Sequence, residues 1–248
     1  MRKKKVTYII TNIPNNTPPS SELVSQIQLV RKTLFSRNLA AEEIVSKFFP
    51  VGAYNRRCII FFDETKTPSG YLCLQTYKIQ KLDIAIFRNQ VALLNKIRGK
   101  VAIKGHILVY LFSDWRVYLK KCYLLYYMIN PLSYALVMKF LQNGAWPGYQ
   151  HGGSTTHIEK YRQIITEIDR SVVEVNGVFV HESNDGAVVE EIDLIEDSDT
   201  AFFLQKNAGY THGDGLVVLA EINVSKLVTY LIRYFSRKWV KNTRTKVS

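Results

Sequence analysis

The chain has 248 residues, of which 47% are hydrophobic and 22% are charged, a balance typical of a globular protein rather than a disordered one. This length is sufficient to bury a hydrophobic core in one large domain or two small ones. The formal net charge of +12 favours an anionic partner, such as a phosphorylated cofactor, a nucleic acid or an acidic membrane surface.

The first third of the chain predicts a strand, two helices and a β-hairpin. Residues 6–11 alternate as a strand does, and Ser20 stands where a helix N-cap is expected. A second helix is predicted over residues 40–49, because acidic side chains occupy its first turn and a proline follows it. Residues 57–62 and 71–79 flank a turn-rich segment and predict the hairpin.

The central third predicts two strands, each followed by a helix. Residues 82–94 fit a strand with a bulge at the polar pair Arg88-Asn89, and residues 102–118 fit a buried helix. Residues 122–129 form a continuous apolar run, as in a strand that is covered on both faces. Pro131 suits the first position of the next helix, with the preceding asparagine as its cap.

The last third predicts further hairpins and a terminal helix. Residues 172–180 contain an Asn-Gly pair between two β-rich runs, which is a strong hairpin signal. Residues 200–205 and 216–221 are predicted as two more strands joined by a glycine-rich loop. Residues 225–240 fit a basic amphipathic helix.

The cysteines and histidines exclude two kinds of site. Cys58, Cys73 and Cys122 are odd in number and widely spaced, which favours reduced thiols in a cytoplasmic protein over a disulfide framework. The five histidines lack metal-ligand spacing such as His-Glu-x-x-His, so no metal site is predicted. No uninterrupted apolar stretch reaches the roughly 18 residues of a membrane-spanning helix, so we expect a soluble protein.

The tripeptide Arg98-Gly99-Lys100 is the best candidate for a functional motif. It follows a predicted strand and precedes a predicted helix. The amide groups at a helix N-terminus have no intrahelical acceptor, and together with two cations they can hold an anion. The position therefore suits the diphosphate of a nucleotide-bearing cofactor.

The order of elements from residue 6 to residue 140 resembles the GNAT superfamily of N-acetyltransferases. The segment Val91-Ala92-Leu93-Leu94-Asn95-Lys96-Ile97-Arg98-Gly99-Lys100 is similar to the fourth strand and the diphosphate-binding loop of that family. Asn130-Pro131-Leu132-Ser133 and the helix after it resemble the stretch that follows the fifth strand. The sequence departs from the family pattern at Val101 and Ile103, where glycines are expected, and at Val137, where a general-acid tyrosine is common.

The resemblance implies an α+β fold with a mixed sheet, splayed central parallel strands and helices on both faces. Residues 1–145 would form the GNAT-like core, and residues 146–248 an extension with β-hairpins and a terminal helix, packed on the same domain. The implied activity is transfer of an acyl group from acetyl-CoA or a longer acyl-CoA to an amine-bearing acceptor.

The resemblance also assigns the site residues. Leu93 and Leu94 would offer backbone groups to the pantetheine arm of the cofactor. Arg98, Gly99 and Lys100 would hold its diphosphate. The resemblance makes Asn130 and Ser133 two further cofactor-binding residues. It makes Tyr134 the proton donor to the leaving thiolate.

A binding protein without catalytic activity is the alternative. A catalytically degenerate GNAT-like protein, or another basic module, could contact nucleic acid or an acidic protein through the terminal helix. The charge distribution disfavours nucleic acid, because the basic residues crowd the two ends of the chain while residues 182–199 are acidic. The sequence also lacks the signature of a known nucleic-acid-binding module.

Overall fold

The computed structural model describes residues 6–35, 37–50, 52–113, 121–141, 145–149, 155–169, 171–182, 197–225, 228–229 and 232. The basic ends of the chain and most of the acidic stretch lie outside the described residues. The predicted terminal helix over residues 225–240 also lies largely outside them.

The described part of the chain contains nine strands and six α-helices in mixed order. The strands are β1 (Thr7–Ile13), β2 (Ala53–Phe62), β3 (Pro68–Ile79), β4 (Ile84–Leu93), β5 (Lys121–Met128), β6 (Ala145–Trp146), β7 (Val172–Val175), β8 (Val178–His181) and β9 (Gly215–Ile222). The helices are α1 (Ser21–Leu34), α2 (Ala41–Phe48), α3 (Ile103–Ser113), α4 (Pro131–Leu141), α5 (Thr155–Ile168) and α6 (Ser198–Lys206).

All of these strands join one mixed sheet. Its order is β1-β2-β3-β4-β5-β9-β8-β7, and the short β6 pairs with β9 beside β8. The pairing of β4 with β5 is parallel, whereas each of the other pairings is antiparallel. The α+β fold with a central parallel pair is confirmed. The strands of the C-terminal part continue the sheet next to β5, and the division at residue 145 stays a prediction.

One face of the sheet packs against α3, α4 and α6. Its core contains Phe87 and Leu124 from the two central strands, together with Tyr110 of α3, Tyr134 of α4 and Phe203 of α6. These large side chains are almost completely buried. Removing them from water is the main source of stabilisation on this face.

The other face is covered in two separate places. Helices α1 and α2 bury the outer strands through residues such as Ile27 and Ile44, while α5 buries the far half through Ile164. Between them, polar side chains of the central strands face a cleft. The predicted helices on both faces are therefore confirmed, and the gap on this face positions the candidate site.

Local sequence explains where α1 and α4 begin. Ser20 accepts a hydrogen bond from the Leu23 amide at 3.3 Å, as an N-cap residue does. Asn130 accepts one from the Ser133 amide at 3.1 Å, and Pro131 occupies the first turn, where it needs no backbone donor. The predicted cap of α4 is confirmed.

Two predictions of local structure were wrong. Residues 200–205 form part of α6 and not a strand, because Asp197 caps a helix there, accepting from the Thr200 amide at 2.8 Å. Buried Thr200, Phe203 and Asn207 then follow helical spacing. The bulge predicted at Arg88 is also absent, since the register of β4 with β3 runs without a shift.

The three cysteines carry free thiols, as predicted. Although Cys58 and Cys73 are far apart in sequence, they are paired across β2 and β3, with their Sγ atoms 3.1 Å apart. Burial raises the pKa of the Cys73 thiol well above its ordinary value. Among the described helices, none is both long and apolar enough to span a membrane.

A candidate active site where two strands part

The central parallel strands are paired along only part of their length. Pairing runs from Ile84 opposite Lys121 to Arg88 opposite Leu125. Beyond that point β4 continues to Leu93 beside β3, and β5 continues beside β9. The two strands therefore part and leave an opening through the sheet, as the resemblance implies.

Main-chain groups of β4 face this opening. The Leu94 amide donates to the Ser69 carbonyl at 2.9 Å, which fixes the alternation of the β3–β4 ladder. Residues on an antiparallel strand direct their main-chain groups to alternate sides, so those of Val91 and Leu93 point towards β5. Leu93 can thus offer its amide to a ligand between the strands. Leu94 cannot do so, because its carbonyl also accepts a bond, from Ile97.

Two neighbouring cavities share lining residues at the opening. One, of about 200 Å³, is lined by both parted strands and by Ser133 at the start of α4. The other, of about 600 Å³, lies between α2 and the α5–β7 region. Residues Lys47, Arg88 and His181 line both cavities. A ligand between the strands and a ligand in the cleft would therefore meet at these side chains.

The turn between β4 and α3, residues 95–102, follows the parted end of β4 and is called the mouth turn below. Arg98 folds back so that its Nε donates to the Leu93 carbonyl at 3.0 Å. Lys96 pairs with Asp63, its Nζ lying 2.5 Å from Oδ2. Gly99 adopts a φ of 73°, a conformation that suits glycine. The mouth turn thus places Arg98 at the end of β4, as predicted.

The first turn of α3 completes the mouth. The first backbone bond into the helix joins the His106 amide to the Ala102 carbonyl at 3.2 Å, so the preceding amides have no intrahelical acceptor. Exposed Lys100 stands just before them. Val101 packs partly into the core, which directs its side chain away from solvent. The mouth keeps the features of an anion site despite the missing glycines.

At the other end of the opening, five polar residues form what we call the base cluster: Gln75, Arg88, Tyr127, Asp169 and His181. The Arg88 guanidinium lies over the Tyr127 ring, 4.6 Å from its centre, and the His181 ring lies 4.9 Å from the same centre. Gln75 stands opposite Arg88 on β3. The cluster lies where the pairing of β4 and β5 stops.

Asp169 and His181 form the acid–base pair of this cluster. The Nδ1 atom of His181 lies 3.3 Å from Asp169 Oδ2, and the Tyr127 hydroxyl donates to the same oxygen at 3.0 Å. Ser171 donates its amide to Asp169 Oδ1 at 3.0 Å and places its hydroxyl 3.0 Å from His181 Nδ1. With Nδ1 engaged, His181 can accept a proton at Nε2.

Burial and hydrogen bonding set the charges of the cluster. Burial acts to raise the pKa of Asp169, but hydrogen bonds from His181 and Ser171 outweigh it and hold that pKa well below its ordinary value. Burial raises the pKa of Tyr127 above its ordinary value. Asp169 is therefore a carboxylate and Tyr127 a neutral phenol at neutral pH.

Tyr134 does not lie at the opening. Its side chain is fully buried between α4 and α6, and its hydroxyl donates to the Pro147 carbonyl at 2.8 Å. Burial raises its pKa far above the ordinary value. These contacts argue against the proton-donor role suggested by the resemblance. Asn130 uses its side chain to cap α4, and Ser133 remains at the opening.

No pattern in the sequence marks the base cluster as a site. Its members come from β3, β4, β5, the end of β8 and the segment after α5, so no short motif contains them. The available signal was the polar run Arg88-Asn89-Gln90 within an otherwise apolar strand. A central strand that is covered on both faces has little reason to carry such side chains unless they serve a site.

Neither a protein-family model nor a curated protein matches the sequence. Solved structures similar to this chain include a protein proposed to be a phosphinothricin N-acetyltransferase (10% identity, TM-score 0.40, covering 88% of this chain and 99% of that one). Another is a GNAT family N-acetyltransferase from Escherichia coli in complex with CoA (14%, 0.37, 55% and 70%). A third is a mutant form of the Vibrio cholerae spermidine/spermine N-acetyltransferase (14%, 0.38, 91% and 98%).

The fold is GNAT-like. The order of β1 to β5 with α1 to α4 is the one expected from the resemblance, and the central parallel pair parts as expected. Because the TM-scores are below 0.5, the similar structures assign this chain neither an activity nor a substrate.

Proposed function

We propose that the protein is an acyltransferase that moves an acetyl or longer acyl group from acyl-CoA to an amine. The observation that supports this most directly is the parting of β4 and β5 beyond Arg88 and Leu125. It leaves main-chain groups of Leu93 and Val91 without a strand partner, beside a cavity that both parted strands line; the space between these strands is called the slot below. An extended pantetheine arm can use such groups much as another strand would.

The mouth turn would hold the diphosphate. Arg98 and Lys100 bring two cations to the end of the slot, and the first turn of α3 adds backbone amides without intrahelical acceptors. Gly99 allows the turn into this helix. With the diphosphate at the mouth, the extended arm runs along β4 towards Arg88.

The cleft between α2 and α5 would admit the amine. When bound, acyl-CoA supplies an activated acyl group, whose carbonyl carbon forms a bond to the amine nitrogen while the carbon–sulfur bond breaks. His181 takes the proton from the amine at Nε2, and the leaving thiolate gains one proton to give free CoA. Asp169 orients the imidazole.

A thermal-shift and product assay tests this proposal. Acetyl-CoA and longer acyl-CoAs should raise the melting temperature, since a ligand at 100 times its Kd stabilises the folded state by about 2.7 kcal/mol. Thiol release with a panel of amines should then reveal turnover. The opposite pattern, in which duplex DNA binds with strong salt dependence and acyl-CoA has no effect, would favour the binding-protein alternative.

This proposal places the protein in the cytoplasm, where acyl-CoA is available. The three buried free thiols agree with a reducing compartment.

A further inference from the structure

Arg88 is a buried cation to which the described part of the chain supplies no counter-ion. Its side chain is only 8% exposed, and its Nε has no hydrogen-bond partner. Among the described residues, no carboxylate oxygen lies within 4 Å of the guanidinium; the oxygens of Asp169 already accept from Tyr127 and Ser171. An unpaired buried charge is costly, and contact with the Tyr127 ring offsets only part of that cost.

Other polar atoms around Arg88 also lack partners. Gln75, directly opposite on β3, is 2% exposed, and neither its Oε1 nor its Nε2 is hydrogen-bonded. Tyr77 lies in the wall of the larger cavity, where burial raises its pKa and the neighbouring Arg88 guanidinium acts in the opposite direction. Buried polar groups in folded proteins are normally satisfied. The unsatisfied polar atoms of Arg88 and Gln75, which lie side by side, therefore indicate a site for a polar ligand.

We propose that the acceptor amine also carries a carboxylate a few bonds away, and that Arg88 binds this carboxylate while His181 faces the amine. This inference rests on the proposed acyl transfer for the role of the amine. A guanidinium over an aromatic ring keeps its donor edges available, and these match the two oxygens of a carboxylate. The acceptor would thus be an amino acid or a close analogue.

The base cluster brings both side chains to one ring and to the same two cavities. The Arg88 Cζ lies 4.6 Å and the His181 ring centre 4.9 Å from the centre of the Tyr127 ring. Both residues line both cavities, so one ligand there can meet the guanidinium and the imidazole.

The diphosphate of acyl-CoA is a poor counter-ion for Arg88. It would lie at the mouth turn, near Arg98. From Arg88 to Leu93 the strand advances five residues, or about 17 Å at the usual rise. The two anion sites are therefore separate, and Arg88 lies at the end of the slot where the acyl group and the acceptor would meet.

The experiment measures binding to the full chain without acyl-CoA. The probes are the twenty L-amino acids, β-alanine and 4-aminobutyrate, each compared with its carboxamide by thermal shift and calorimetric titration. We expect at least one acid to raise the melting temperature while its amide does not. In Arg88→Met the affinity for that acid should fall about 10- to 100-fold, the loss expected for hydrogen bonds to a charged group.

Two further readouts keep the inference testable. Arg88→Met without ligand should melt at or above the wild-type temperature, because it removes an unpaired buried cation. Lys32→Gln removes one positive charge from the exposed side of α1 and should leave amino-acid binding unchanged. Mass spectrometry after incubation with acetyl-CoA then tests whether the bound amino acid is acylated, which requires the carboxylate site and the cofactor site to act together.

Three results would overturn the inference. They are equal binding of amides and acids, acyl-CoA binding without binding of any amino acid, and a large loss of stability in Arg88→Met that reveals an internal ion pair. The second result leaves the proposed acyl transfer standing. If amino acids bind but acyl-CoA has no effect, the carboxylate site is supported and the transferase proposal is rejected.

Discussion

The mouth turn and the base cluster lie at opposite ends of one opening and differ in how their polar groups are satisfied. At the mouth, Lys96 pairs with Asp63 and Arg98 bonds the Leu93 carbonyl. At the base, Arg88 and Gln75 are buried and hold unpartnered atoms. Exposed and satisfied groups can tolerate substitution, whereas buried polar groups without partners are costly unless a ligand satisfies them. The base is therefore the better guide to specificity and catalysis.

The largest effect is expected from His181→Gln at the base. Loss of a general base lowers turnover by about 100- to 10,000-fold, while the mouth and the slot remain intact. Initial rates of thiol release measure turnover, and the thermal shift by acetyl-CoA reports cofactor binding in the same variant. If turnover persists at the wild-type level, His181 is not the general base, and the base cluster is not the catalytic end of the opening.

Asp169→Asn tests the other half of the acid–base pair. The carboxylate accepts hydrogen bonds in the folded state, so its replacement should cost about 1 to 3 kcal/mol of unfolding free energy at neutral pH. The folded-state pKa of Asp169 is depressed. Its contribution is therefore fully present above the unfolded pKa of about 3.9 and decreases as the pH falls below it.

Denaturant unfolding of wild type and Asp169→Asn at pH 7, 5 and 4 measures this dependence. The difference between the two proteins should be present at pH 7 and 5 and should shrink between pH 5 and pH 4, as the carboxylate of the unfolded chain becomes protonated. A difference that does not shrink between pH 5 and pH 4 would mean that the carboxylate is not stabilised by its partners in the folded protein.

Tyr134→Phe tests whether Tyr134 is the proton donor that the resemblance assigns or a structural residue of the core. The hydroxyl donates to the Pro147 carbonyl in the core, so its loss should lower stability by about 1 to 2 kcal/mol. Turnover at saturating acyl-CoA should remain close to wild type, since the group lies at neither end of the opening. Loss of turnover with unchanged stability would return Tyr134 to the role of proton donor.

The smallest effect is expected from Arg98→Gln at the mouth. This side chain is exposed, so solvent screens its attraction to a diphosphate, and acyl-CoA affinity should fall no more than about tenfold. Titration calorimetry at two salt concentrations measures the change, with Lys32→Gln as the charge-matched control. An unchanged affinity, or a loss equal to that of the control, would remove Arg98 from the cofactor site.

The difference between the two regions also explains what the sequence could predict. The mouth turn is continuous in the chain, so Arg98, Gly99 and the start of α3 could be recognised together. Most elements of the fold followed from periodicity, turn residues and caps such as Ser20 and Asn130. The parting of the strands followed from the resemblance.

The base cluster could not be predicted because it depends on how distant elements pair. His181 reaches Arg88 only because β9 inserts beside β5 and brings β8 with it. The polar pair at Arg88 was interpreted as a bulge, whereas the structure keeps β4 regular and lets β5 diverge there. Helix α6 was missed for a local reason, since the strand signal of Phe202 and Phe203 competes with the helix cap at Asp197.

Acetyl-CoA binding to Val91→Trp tests the central claim, that the parted strands form the cofactor slot. Val91 is 47% exposed and lines the opening, so a larger ring there should fill the slot without disturbing the core. Val173→Trp on β7 is the matched control, because Val173 is 37% exposed and lies away from the opening. We predict that calorimetry detects acetyl-CoA binding to wild type and Val173→Trp but none to a folded Val91→Trp; equal binding by both variants would contradict the account.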